Sequence, residues 1–63
     1  MTFVMFKQES GAKCAINPDH VVAVEESDSE GITIIVTVAD SVFSNYRVQT
    51  DFETAVVTLL GAE

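Results

Sequence analysis

The segment ITIIVTVA, residues 32–39, carries the clearest strand pattern in the chain. Its residues form two alternating sets, Ile32, Ile34, Val36 and Val38 in one and Thr33, Ile35, Thr37 and Ala39 in the other. Successive side chains of a strand point to opposite faces, so this period of two predicts a β-strand. One face is aliphatic and the other carries threonines. Ile35 is the exception, because it places an aliphatic side chain on the threonine face.

Further strands are predicted on both sides of this segment. An acidic turn over residues 25–31 precedes it, and Asp40-Ser41 ends it before a strand that runs from about residue 43 to 48. Apolar and β-branched residues predict earlier strands over 2–7, 13–16 and 21–24. Residues 8–12 fit a hairpin loop. Residues 17–20, Asn-Pro-Asp-His, fit a tight corner in which proline fixes the backbone and the Asx side chains bond to it.

One helix is predicted at the C-terminal end. The sequence TDFE, residues 50–53, has the capping-box pattern, in which Thr50 and Glu53 each bond a free backbone N–H. Gly61 is placed to end the helix. Apolar residues recur between them at helical spacing, at Phe52, Ala55, Val56, Leu59 and Leu60. The predicted fold is therefore α+β, a small antiparallel sheet of four to five strands with one C-terminal helix packed on one face, in a single domain of residues 1–63.

The size of the chain predicts that its stability needs a supplement. A domain of 63 residues buries only about 60% of its unfolded surface. Cys14 is the only cysteine, so no internal disulfide can form, and with a single histidine no ordinary zinc site can form either. Self-association is the remaining supplement. The apolar content of 48% predicts a folded chain despite the high charge.

The charge balance restricts the class of partner. Ten acidic residues outnumber Lys7, Lys13 and Arg47, which leaves a net charge of −7. Three scattered cations cannot neutralise a nucleic-acid backbone or bind an anionic membrane surface, so neither partner is expected. Protein partners are expected to be basic or apolar. No segment reads as a signal peptide or a transmembrane span, and the lone free thiol favours the cytoplasm.

Residues with catalytic chemistry are few, and no catalytic, cofactor-binding or metal-binding residue is predicted. His20 is the only neutral-pH proton carrier, and its neighbour Asp19 points to the opposite side of an extended chain. Cys14 is predicted to be a small buried hydrophobe. The acidic run over residues 25–30 lacks the spacing of a calcium loop and is predicted to be a solvated hairpin tip.

Two segments carry a resemblance to a known family. INPDHVVAVEES, residues 16–27, followed by YRVQTDFETAVVTLL, residues 46–60, resembles the small flagellar and swarming-motility proteins of the FlbD/SwrD type. The resemblance covers about residues 13–60 and implies a small, non-enzymatic accessory protein with no catalytic residue. The second segment also resembles the strand-to-helix passage of LytTR-type DNA-binding domains, although the basic DNA-contacting residues of that domain are missing.

These observations predict a non-catalytic interaction module that self-associates and supports a larger assembly. One helix covers one sheet face, which leaves apolar side chains without cover. The predicted homo-oligomer interface consists of Phe3, Val4, Met5, Phe6, Ile35, Val42 and Phe43. The alternative is an acidic inhibitor, of the type found in phages, that occupies the basic site of a nucleic-acid-binding protein. Its acids should then lie spread over one face.

Overall fold

The computed structural model describes residues 3–61, so the first residue of the predicted strand over 2–7 and the end of the chain lie outside it. The strands are β1 (Val4–Lys7), β2 (Lys13–Ile16), β3 (Val21–Glu26), β4 (Thr33–Ala39) and β5 (Val42–Val48). A 3₁₀ turn (Pro18–His20) separates β2 from β3, and the helix α1 (Phe52–Leu60) follows β5. Within residues 3–61, no helix has the length and apolarity needed to span a bilayer.

The α+β class is as predicted, but the strands form two antiparallel sheets and not one. β1 pairs with β2 in a hairpin, and β3, β4 and β5 form a three-stranded sheet in that order. The 3₁₀ turn redirects the chain after β2, so that β3 does not extend the first hairpin and pairs with β4 instead. Among residues 3–61, a single bridge, Gln8 with Val48, links the two sheets. Backbone bonds on each side of it, of 2.8 Å from Glu9 to Arg47 and 2.7 Å from Gln49 to Lys7, reinforce this link.

The core lies between the two sheets and the helix. Residues that pair directly across strands share a face, so the pairs Thr33–Val48 and Ile35–Tyr46 lie on the same side of the three-stranded sheet. This is the inner face. Ile35 and Val48 are completely buried there, and they pack with three residues from the hairpin and the helix, Val4, Ile16 and Leu59.

The threonine-bearing face of β4 is the inner one, so the predicted exposure of Ile35 was wrong. Thr33 is completely buried, and its hydroxyl donates a 2.7 Å hydrogen bond to the backbone carbonyl of Thr50. A satisfied hydroxyl can occupy the core at little cost. The aliphatic set of β4 consequently faces away from the core.

The helix begins one residue later than the capping box predicts. Asp51 is the N-cap, and its Oδ2 accepts a hydrogen bond of 3.4 Å from the backbone N–H of Thr54. This hydrogen bond lowers the pKa of Asp51 below its ordinary value. Ala55 and Leu59 are buried, whereas Leu60, predicted to lie in the apolar stripe, is 75% exposed. The end of the helix at Gly61 is confirmed.

The two tight connections follow the predicted positions. The side chain of Asn17 accepts a 3.0 Å hydrogen bond from the backbone N–H of Asp19, which confirms the corner before β3. The β4–β5 turn consists of Asp40 and Ser41, with φ angles of 52° and 66°. Two central residues with positive φ are typical of the type I′ hairpin turn, which matches the twist of the flanking strands.

Candidate functional site

A cleft of about 250 Å³ opens between the β1–β2 hairpin, the 3₁₀ turn and one end of the three-stranded sheet. Phe3 and Val42 line it and are 54% and 62% exposed, so both lie at its mouth. Tyr46 and His20, the single tyrosine and the single histidine of the chain, line it as well. The cleft therefore combines aromatic rings with an exposed apolar rim.

Four of the polar side chains in the cleft are free to bind. Thr37 and Ser44 pair directly across β4 and β5, and both line the cleft. Within the described part of the chain, the side chains of Thr37, Ser44, Tyr46 and His20 make no hydrogen bond to protein. The hydroxyl groups and the imidazole can therefore donate to, or accept from, a bound molecule.

The cleft holds no paired catalytic groups among residues 3–61. His20 lines it, but no carboxylate is among its lining residues, and neighbouring Asp19 is exposed. Cys14 is half-buried on the core-facing side of β2. Burial raises the pKa of the Cys14 thiol, which keeps it protonated at neutral pH and makes it a poor nucleophile.

The acidic residues concentrate at the opposite end of the three-stranded sheet. Glu25, Glu26, Asp28 and Glu30 are exposed in and beside the β3–β4 turn. Residues 3–61 contain no group of three His, Cys, Asp or Glu side chains arranged to hold a metal ion. We call this region, with Glu9 from the β1–β2 loop, the acidic end.

An ion pair between Arg47 and Glu9 holds the loops of the acidic end to β5. The Arg47 guanidinium binds Glu9 through Nε to Oε1 at 2.9 Å and Nη2 to Oε2 at 3.2 Å, and it also reaches Ser29 Oγ at 3.4 Å. The hydrogen bond from Arg47 lowers the pKa of Glu9 below its ordinary value. Two loops that are distant in sequence are thereby tied to β5.

A second apolar surface lies on the three-stranded sheet, on the side away from the core. Strand pairing places Arg47 opposite Ile34 and Phe43 opposite Val38 on this side. Among residues 3–61, none of the aliphatic residues on this side joins the core cluster or packs against it, and Phe43 is 67% exposed. We call this surface the outer face; its apolar residues are Ala23, Ile34, Val36, Val38 and Phe43.

The structure separates the predicted interface residues. Val4 and Ile35 are buried in the core of the chain, so their assignment to an exposed surface was wrong. Phe6 packs against the core and is only half exposed. The remaining residues are exposed but lie apart: Phe3 and Val42 at the cleft, Met5 on the exposed side of β1, and Phe43 on the outer face.

The residues that sequence reasoning missed are Ile34, Val36 and Val38. Their regular alternation was visible, but the predicted interface named Ile35 from the other face of β4 and none of these three residues. The signal that could have identified them is the pairing of an aliphatic face with Arg47 and Asn45 on β5, which are polar residues that seldom face a core.

The chain matches no protein-family model, no curated protein and no solved structure. Its function is therefore inferred from the cleft, the outer face and the distribution of charge.

Proposed function

We propose that the chain is a non-catalytic interaction module that self-associates through its outer face and supports a larger assembly. The observation that carries this proposal is the row of Ile34, Val36 and Val38 on the central strand, with Phe43 beside it, on a sheet face that the helix does not cover. These three side chains are half-buried and Phe43 is 67% exposed, so part of this contiguous apolar surface stays open to solvent, which favours a partner surface. The resemblance to FlbD/SwrD-type accessory proteins points to the same class of role.

The charge distribution favours a symmetric dimer despite the net charge of −7. Val36 is the central residue of β4, a strand of seven residues and therefore about 23 Å long. A two-fold axis that runs between the two outer faces at the level of Val36, perpendicular to β4, would place the two acidic ends at opposite ends of the dimer. Their separation would exceed the Debye length of about 8 Å at physiological salt, so the repulsion between them would be largely screened.

The alternative function is an acidic inhibitor of a nucleic-acid-binding protein, and the acidic end is the observation that favours it. Five carboxylates lie there, but Arg47 neutralises Glu9. Asp51 and Glu53 belong to the start of the helix and not to that turn, and the Thr50 carbonyl bonds Thr33 at the same end of the sheet. A phosphate-like array needs acids spread along one face, whereas these are concentrated at one end of the three-stranded sheet. We therefore favour self-association.

Sedimentation equilibrium at tens of micromolar tests the proposal. The expected mass is twice the 6.8 kDa of the chain. The double variant Val36→Thr, Val38→Thr keeps β-branched side chains in the strand and should shift the mass to that of a monomer. The matched control is Val57→Thr, at an exposed apolar position on the helix, which should remain dimeric.

A monomeric wild-type chain at these concentrations would overturn the proposal. A dimer that persists in the Val36→Thr, Val38→Thr variant would exclude the outer face as its interface. Saturable binding of a basic nucleic-acid-binding domain by the monomer, lost on Glu26→Gln and Asp28→Asn substitution, would favour the inhibitor instead.

A further inference from the structure

We infer that the cleft binds a segment of a partner protein that carries one large aromatic side chain flanked by basic residues. The occupant enters between the β1–β2 hairpin and the β4–β5 turn. This inference does not rest on the outer face, since the cleft is lined by the other side of the sheet.

The dimensions of the cleft favour a single side chain over a free small molecule. Small-molecule pockets usually enclose roughly 300–1,000 Å³ and bury most of the ligand. This cleft holds about 250 Å³ and has Phe3 and Val42 more than half exposed at its mouth. One side chain can fill the interior while the backbone that bears it rests on that apolar rim. Interfaces often depend on such anchors.

The lining favours an anchor that is aromatic and carries a polar group. Ile16, Ala15 and Ala39 supply apolar walls, and the unpaired hydroxyls of Thr37 and Ser44 lie together on adjacent strands. A wholly aliphatic anchor would cover those hydroxyls without replacing their bonds to water, which is costly. The N–H of an indole or the O–H of a phenol can form those bonds while the ring packs on the walls.

The charges around the cleft favour basic flanking residues. Asp40 lies between Ala39 and Val42 in the turn, and Asp19 lies beside His20; both carboxylates are exposed. All three basic residues of the chain lie elsewhere, because Arg47 binds Glu9 and Lys7 pairs with Lys13 at the loop end of the hairpin. A lysine or arginine on either side of the anchor would therefore meet a carboxylate, and no lysine or arginine among residues 3–61 would oppose it.

The test is a titration of the ¹⁵N-labelled chain, followed by amide chemical shifts. The probe is the capped peptide acetyl-Gly-Arg-Trp-Arg-Gly-amide. Two matched peptides replace both arginines by glutamate or the tryptophan by alanine. We expect saturable shifts at residues 15–20 and 37–46 with the first peptide. Binding should be weaker by roughly fivefold or more with either matched peptide.

Variants of the chain locate the site and separate it from the outer face. Asp40→Asn keeps a residue that tolerates positive φ, and together with Asp19→Asn it should weaken binding of the arginine peptide roughly fivefold. Asp28→Asn at the acidic end removes one charge from outside the cleft and should leave binding unchanged. Ser44→Leu should fill the cleft and abolish binding, with its own amide spectrum reporting whether it folds.

Three results would overturn the inference. These are the absence of saturable shifts at millimolar peptide, shifts centred on the β3–β4 turn, and equal affinity for the arginine and glutamate peptides. The Val36→Thr, Val38→Thr variant should bind the peptide as wild type does. Failure of the dimer and failure of the cleft are therefore separate outcomes.

Discussion

Ser41 has a backbone conformation that suits it poorly. Its φ of 66° lies in the left-handed region, which costs a residue with a Cβ about 1–2 kcal/mol, whereas glycine adopts it freely. Ser41→Gly should therefore raise stability by roughly 0.5 kcal/mol after the loss of about 0.5–1 kcal/mol to the more flexible unfolded chain. Urea denaturation measures the change. A smaller gain in stability is expected from Asp40→Gly, since Asp tolerates positive φ. A Ser41→Gly variant that is less stable than wild type would show that the backbone of Ser41 is not strained.

The neighbours Ile34 and Ile35 offer the same side chain on opposite faces of β4. Ile35 is completely buried, so Ile35→Ala should cost about 2–5 kcal/mol, a large part of the stability of so small a domain. Ile34 is half-buried on the outer face, so Ile34→Ala should cost less, about 1 kcal/mol, measured on the Val36→Thr, Val38→Thr background that is expected to be monomeric. Equal losses in chemical denaturation would show that the two faces are wrongly assigned.

At the scale of elements, the two adjacent candidates for the N-cap of α1, Thr50 and Asp51, make different contacts. Asp51 accepts the hydrogen bond from Thr54, whereas Thr50 contributes its backbone carbonyl to Thr33. Asp51→Ala should therefore lower the melting temperature by roughly 5 °C, and Thr50→Ala by much less. Thermal unfolding followed by circular dichroism compares the two variants. A larger drop in melting temperature for Thr50→Ala than for Asp51→Ala would show that Thr50 is the N-cap, as the capping box predicts.

Sequence reasoning identifies most elements of this fold because each has a local signal. The period of two in β4, the Asn-Pro-Asp corner and the cap-like residues before α1 are properties of neighbouring residues. The division into two sheets depends on which strands meet at Gln8 and Val48, and no local pattern encodes that meeting. The inward face of β4 was missed because a buried Thr33 needs a hydrogen-bond acceptor from residue 50.

The candidate sites were less predictable than the fold. Phe3, Val42 and Phe43 are apolar residues of unremarkable spacing, and their exposure is decided by the packing of the hairpin on the sheet. The cleft collects side chains from the hairpin, the 3₁₀ turn and two strands of the second sheet. A cavity of this kind arises only from tertiary structure, so its residues carry no shared sequence signal.

At the scale of the whole molecule, the acidic end makes stability depend on pH. The pKa of Glu9 is lowered in the folded chain, so its ion pair with Arg47 stabilises the fold above the ordinary carboxyl range and is lost as pH falls through the folded value. Glu9→Gln should melt roughly 2 °C below wild type at pH 7, with the difference vanishing once the pH lies below the lowered pKa of Glu9.

Glu30→Gln serves as the control for charge alone. It removes one carboxylate from the same acidic end, where Glu30 is exposed, and should leave the melting temperature at pH 7 unchanged or slightly higher. Equal destabilisation by the two variants would indicate that the ion pair contributes nothing. Added salt should reduce the Glu9→Gln difference as well, because exposed ion pairs are screened.

The single bridge between Gln8 and Val48 has a consequence for the order of folding. The strand pairs β1–β2, β3–β4 and β4–β5 each join neighbours in sequence, so short loop closures suffice to form them. Among residues 3–61, this bridge alone pairs strand segments that are distant in sequence, and it should close last and open first. Native-state hydrogen exchange should therefore show the amides of Glu9 and Gln49 opening well before those of β4. Equal protection of these two amides and of β4 would indicate that the chain opens as a single cooperative unit.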